Sequence, residues 1–190
     1  MYNIFMQKVL LYNVKNETFK IFEKVLEKRN IPYFSIDDSC LDITVEGLFS
    51  LEEDSLGGGY HFREEYMLMK GISHEELLDI LKEMHALGGE FEGIKVMYTE
   101  TNASWLLKDL LEETEKEHEV MQKVLILQET LKSCNEIDFN NYSEEDGASL
   151  KLAMMDAYMY LQAGNYEKEI IEEKVQSLMD ALRNIKRIES

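Results

Sequence analysis

Tyr66-Met67-Leu68-Met69-Lys70-Gly71-Ile72-Ser73-His74-Glu75-Glu76-Leu77 passes from an apolar, β-prone run straight into a capped helix. Tyr66 to Met69 reads as a strand closed by Gly71. Ser73 is placed to cap the helix, and Glu76 completes a capping box in which the two side chains satisfy orphan backbone amides. Leu77, Leu78, Ile80, Leu81, Met84 and Leu87 recur at helical spacing as one apolar face. Gly88-Gly89 stops the helix, and Ile94-Lys95-Val96-Met97-Tyr98 makes a further strand.

The same grammar occurs upstream. Val9-Leu10-Leu11-Tyr12, bounded by Asn13, reads as a buried strand, and Asn16 is a candidate N-cap for a helix carrying Phe19, Phe22, Val25 and Leu26 that ends near Asn30. Ile31-Pro32-Tyr33-Phe34-Ser35-Ile36 follows as a strand, with the single proline near its start, where a ladder tolerates it. From Asp37 to Tyr60 the pattern weakens to a short helix around Thr44 to Leu51 and a loop at Gly57-Gly58-Gly59. The order β-α-β-β-α-β predicts an α+β fold, a ferredoxin-like sandwich with a four-stranded antiparallel sheet and both helices on one face. An open parallel sheet is the alternative.

Beyond Thr99 the pattern is helical throughout and predicts a C-terminal three-helix extension. A long helix starts near Ser104, capped by Thr101 or Asn102, and continues through Leu107, Leu110, Leu111, Met121, Val124, Leu125 and Leu131 to about Cys134. Its acid-rich middle, Glu112 to Glu119, is expected to bridge two packing environments. After a polar loop around Asn140 to Asp146 come helices at Ala148 to Ala163 and Tyr166 to Ile188, and Ile171, Val175, Leu178, Leu182 and Ile185 form the seam of a bundle. The predicted domains are residues 1–103, the sandwich, and 104–190, the helical part.

With 38 acidic against 20 basic residues the 190-residue chain carries −18. That charge argues against nucleic acid, because affinity for a phosphate backbone rests on cations displacing counterions. Cys40 and Cys134 lack CxxC spacing and read as two reduced thiols. The opening residues Met1 to Lys8 lack a basic leader, and no apolar run reaches the ~18 residues of a membrane helix. The expectation is a soluble, cytoplasmic protein.

No catalytic motif is present: there is no GxSxG elbow and neither cysteine has a diagnostic neighbourhood. Asp37-Asp38 and Glu52-Glu53-Asp54 read as solvated loops. Glu115 and His118 have the i, i+3 spacing of di-iron bundles without the required second copy, and His61, His74 and His85 lack zinc spacing, so neither metal nor cofactor is expected. Gly57-Gly58-Gly59 lacks the Lys-Ser or Lys-Thr of a phosphate loop and reads as a flexible turn. The candidate site is the junction after the last strand, where Thr99, Thr101, Asn102 and Trp105 place hydroxyl, amide and indole groups beside Glu100 at the sheet edge. A cap at Thr101 or Asn102 with Trp105 packed as a core anchor accounts for the same residues.

Val9 to Asn13, Met67 to Gly71 with the helix Ser73 to Leu87, and Val96 through Thr99-Glu100-Thr101-Asn102 to Trp105 resemble a bacterial family of small domains of unknown function, over about residues 8 to 118. The resemblance implies a bacterial cytoplasmic protein and no activity. Ala157, Tyr158, Tyr166, Val175, Leu178 and Ala181 are loosely similar to small helical modules of bacterial surface proteins.

Two functional classes follow. One is a non-enzymatic interaction or regulatory module that docks a protein partner or self-associates, for which the heptad-like seams and eleven methionines speak; a methionine-rich core is the plainer account of the latter. The other is a small-metabolite-binding domain, on fold analogy.

Overall fold

The computed structural model describes residues 7–55 and 57–186. The expectation about the leader at Met1 to Met6 lies outside the described residues; the last helix, expected over Tyr166 to Ile188, ends at Asn184 because the backbone turns extended at Ile185. Each apolar run forms the strand its pattern predicts. Strand β1 (Lys8–Tyr12), helix α1 (Asn16–Lys28) and strand β2 (Tyr33–Ile36) make one unit; strand β3 (Tyr66–Lys70), helix α3 (His74–Ala86) and strand β4 (Ile94–Met97) make the other. Between them a 3-10 turn at Asp38–Cys40 leads to the short helix α2 (Val45–Leu48), capped by the Thr44 hydroxyl.

The repetition extends to the backbone. Both helices have 13 residues, and a positive φ follows each unit's first strand, at Asn13 and Gly71, and each helix, at Asn30 and Gly88. Asparagine and glycine are the residues that tolerate the left-handed region. One detail departs from the sequence reading: Asn16 is the first residue of α1, and Lys15 takes the cap position without a side-chain cap. The Lys15 amide donates instead to Glu65 at 2.6 Å.

The sheet is mixed, in the order β2-β1-β3-β4. β1 and β2 are parallel, β3 and β4 are parallel, and the units meet where β1 and β3 pair antiparallel, Leu10 opposite Leu68 and Tyr12 opposite Tyr66. This replaces the antiparallel, ferredoxin-like sheet that the element order predicted. Each unit's two strands pair with each other, so its helix crosses to the adjacent position. The choice rests on which edge β2 and β4 occupy, and both are short, partly exposed strands that suit either edge.

Because side chains alternate across a strand, β1 and β3 serve two cores. Val9, Leu11, Met67 and Met69 meet Phe22, Val25 and Leu26 of α1 and Leu77, Ile80 and Met84 of α3, so both crossover helices do lie on one face. Glu83 of α3 ties them further, accepting from Arg29 at 2.7 Å and Lys28 at 3.0 Å. Leu10, Tyr12, Tyr66, Leu68 and Val96 face the other way, toward Val45, Leu48, Phe62 and the first turns of helix α4 (Leu107–Cys134), through Leu107, Leu110 and Leu111.

The chain divides into two compact units, Met1–Glu115 and Lys116–Ser190. The division falls inside the acid-rich middle of α4, because the leucines of its first turns belong to the sheet's core. In the second unit, a 3-10 turn at Phe139–Asn141 precedes helix α5 (Glu144–Ala163), and helix α6 (Lys168–Asn184) follows. Ser143 caps α5 by accepting from the Asp146 amide, which starts the helix a turn before the predicted Ala148, and Gly164 ends it at φ +70°. Val124, Leu127, Leu131, Leu150, Ala157, Ile171 and Leu178 form the bundle core, joined by Val175, Leu182 and Ile185 of the predicted seam.

Leu10→Ala empties space at the strand pair that joins the two βαβ units, and stability should fall by about 3 kcal/mol in urea unfolding. A loss below about 1 kcal/mol would mean that the core refills the space and that the pair is not the constraint described.

Candidate functional site

The junction Thr99 to Trp105 is a series of turns, and α4 begins at Leu107 rather than near Ser104. The turn holds itself. The Thr99 amide donates to Asn102 Oδ1 at 2.9 Å and the Asn102 amide donates to Thr99 Oγ1 at 3.2 Å. Asn102 Nδ2 donates to the Met97 carbonyl at 2.9 Å. That carbonyl lies on the outer edge of β4, since the amides of Ile94 and Tyr98 are the ones that reach back to the β3 side, so Asn102 closes part of a free strand edge. Thr99 and Asn102 are thus brought together, but in bonds that fold the turn.

Thr101 is exposed. Trp105, expected as a core anchor, is 37% exposed; it is held through its backbone, the carbonyl accepting from the Val45 amide at 2.9 Å. With the Thr44 to Leu106 bridge, and the Leu107 amide on the Ile43 carbonyl, this staples the junction to the start of α2. Neither Thr101 nor Asn102 caps α4: the turns run on to Trp105, and a single antiparallel bridge at Leu106 precedes the helix.

Beside the junction stand residues that the sequence reading did not single out. Lys8 and Lys70 face each other across β1 and β3, an arrangement that repels. Lys8 is buried and donates to the carbonyls of Phe49 at 2.9 Å and Leu51 at 2.5 Å. Burial pulls its pKa down, which nearby Glu52 partly offsets. Lys70 places its ammonium 4.0 Å from the Tyr98 ring centre and 5.8 Å from that of Phe49, a cation–π arrangement. Tyr98 and Phe49 themselves meet edge to face. Only the strand register and the fold of α2 bring Lys70, Tyr98 and Phe49 together, so no local pattern signals them.

The opposite end of the sheet carries carboxylates. Asp37, read from sequence as part of a solvated loop, is 1% exposed. Its Oδ2 accepts from the amides of Gly57 and Gly58, both at 2.7 Å, and its Oδ1 from the Ser39 hydroxyl at 2.6 Å and amide at 3.0 Å. Burial by itself pushes this carboxyl up, but the bonds from Ser39, Gly58 and Gly57 together hold it below its ordinary value. A Cβ on Gly58 would lie 2.9 Å from the Ser39 nitrogen, so glycine is required there. The glycine triplet, read as a flexible turn, is therefore fastened from within. Asp38 accepts from the Tyr12 hydroxyl at 2.6 Å and the His61 amide at 3.0 Å, continuing the clasp. Burial, with Asp38 as acceptor, raises the Tyr12 pKa.

Among the described residues no three His, Cys, Asp or Glu side chains come together as metal ligands, and His118 is hydrogen-bonded to Gln122 at 2.8 Å. Cys40 and Cys134 are buried, free thiols. No helix among the described residues is long and apolar enough to cross a membrane.

Among the described residues two helices of the second unit expose large apolar residues: α4 does so at Met121, Leu125 and Ile126, and α5 more strongly. The inward side of α5 carries Leu150 and Ala157, both buried, yet Leu152, Met155 and Met159 on its other side are 63%, 57% and 64% exposed. Tyr158 beside them is also exposed.

The fold is thus α+β, a four-stranded mixed sheet with interleaved helices followed by the helices α4 to α6. Residues 65–121, which run from the start of the second βαβ unit through the junction into α4, match a family described as a domain of unknown function (DUF3783). No curated protein and no solved structure matched the chain. The matched segment contains Lys70, Tyr98 and the whole junction, and it ends before α5.

Asn102→Ala removes both bonds that its side chain makes and should lower stability by about 1–2 kcal/mol, while Trp105→Ala strips the indole surface that is still covered at 37% exposure and should cost about 2 kcal/mol. Thermal unfolding of both variants checks this, and an unchanged midpoint for Asn102→Ala would mean that its bonds do not hold the turn. For Asp37, whose folded pKa is depressed, the contribution is present above its unfolded value near ~3.9 and lost as pH falls through the folded value. Asp37→Ala should therefore be about 3 kcal/mol less stable at pH 7, and the gap should narrow in acid as the parent loses the charge-dependent part. Urea titrations at both ends of that range that show an unchanged gap would mean that the charge does not hold the loop.

Proposed function

We propose that this chain is a non-enzymatic protein-interaction or regulatory module of the cytoplasm, and that it docks a protein partner on the outward face of α5. The observation that carries the proposal is the doubly apolar character of that helix. A bundle helix buries one stripe and gives the other to water, whereas α5 exposes Leu152, Met155, Tyr158 and Met159 opposite a face that is already buried. Contiguous exposed apolar surface of this kind marks association sites. The methionines divide accordingly: Met67, Met69 and Met84 fill the sheet core, while Met121, Met155 and Met159 stand in solvent, where unbranched, polarisable side chains adapt to a partner. Two buried, unpaired thiols suit a reducing compartment.

A second reading, a small-metabolite-binding regulatory domain, has its own support in Lys70, whose ammonium rests on aromatic rings beside the junction. A metabolite held there should stabilise the protein saturably and lose that effect in Lys70→Ala.

A photo-crosslinking residue in place of Met155 should give a discrete adduct with another protein in cells. Leu152→Asp with Met159→Asp should abolish it while stability changes by no more than about 1 kcal/mol, as at other exposed positions. An equal adduct from the exposed Ser177 on α6, or none from position 155, would refute docking on α5.

A further inference from the structure

We infer that the face of α5 takes a cationic amphipathic helix, an inference that rests on the docking reading above and adds the chemistry of the occupant. Ala148, Leu152, Met155 and Met159 are all exposed and step by four, three and four residues. At 3.6 residues per turn they fall within an arc of roughly 60° and span about 16 Å. A narrow stripe with this alternation is the seam that a second helix fills by setting knobs into holes. A flat sheet or an extended peptide, whose side chains repeat every two residues, has no matching period.

Charge selects among helices. α5 carries Glu144, Glu145, Asp146 and Asp156 against Lys151; Asp156 is paired with Lys174 of α6 at 2.9 Å and the Lys151 ammonium lies 4.7 Å from the Phe139 ring centre, so the acidic charge of α5 concentrates in its first turn. The second unit as a whole has 15 acidic and 9 basic residues. A second copy adds another acidic chain of net charge −18, whereas a lysine- or arginine-flanked apolar stripe is drawn to this surface and oriented, with its most basic end toward the acidic first turn of α5. The methionines give the seam tolerance for varied apolar side chains, so the flanking charges rather than the shape of one anchor set the choice of partner.

Three labelled peptides of about 18 residues are titrated into the full chain by fluorescence anisotropy: leucine and lysine with the leucines at alternating three- and four-residue spacing, the same composition with the leucines dispersed, and leucine with glutamate at the first spacing. The variant Leu152→Gln with Met159→Gln alters the stripe and leaves the charge untouched. The heptad-spaced lysine peptide should bind, more tightly than the dispersed one, and lose about ten-fold or more on the variant. Binding of the lysine peptide that the variant does not weaken, or that the dispersed peptide equals, would reduce the effect to adsorption on an acidic surface and overturn the inference. Equal binding of the glutamate peptide, with the same dependence on Leu152 and Met159, would overturn the charge choice while leaving docking on α5 intact. A dimer in sedimentation velocity that the variant abolishes would make a second copy the occupant. Failure of every peptide would also overturn the inference, with the crosslink from position 155 then deciding whether the docking reading survives.

Discussion

Leu10 and Leu68 stand opposite each other in the antiparallel pair of β1 and β3, and the first unit is organised by that contact. Both strands are almost wholly buried, on both of their faces. Joining two βαβ units through their first strands sends both crossover helices to one side and frees the other for α2 and the leucines that begin α4. It also turns the two units head to tail, so the carboxyl ends of β1 and β2 lie at the opposite end of the sheet from those of β3 and β4.

Those two ends have become chemically different. One is an acidic clasp, in which Asp37 and Asp38 receive backbone amides and fasten the loop that passes over Tyr12. At the other, Lys8 is spent on two carbonyls and Lys70 lies over aromatic rings, next to a turn locked by Thr99 and Asn102. A buried carboxylate is tolerable only when donors surround it, and Asp37 meets that requirement with four short bonds. Its role is therefore to hold the chain.

The proposed docking surface belongs to the second unit. α6 behaves as an ordinary bundle helix, its seam turned inward, but α5 carries apolar residues on both sides of its axis. Leu150 and Ala157 of α5 are buried in the three-helix core, whereas Leu152, Met155 and Met159 are each more than half exposed. The exposed part of such apolar side chains gains free energy when something covers it.

Periodicity and capping made every strand and the long helices legible in the sequence, because alternation and the 3.6-residue repeat are local properties. The seam of α6 was readable for the same reason, as was the element order. Strand order was not: β2 and β4 carry the same half-exposed pattern that either edge of the sheet accepts, so pairing had to choose between parallel neighbours and a split arrangement. Of the candidate site, Thr99 and Asn102 were visible as a polar cluster, yet their mutual bonds, the exposure of Trp105 and the start of α4 at Leu107 depend on α2 pairing with the junction. Asp37 was misread because composition distinguishes a solvated carboxylate from a clasped one only when the distant Gly57 and Gly58 are brought to it. Local order and the kinds of element were thus set by the amino-acid sequence itself, whereas faces, edges and the burial of each polar group were decided by tertiary contacts, since burial depends on what arrives from far along the chain.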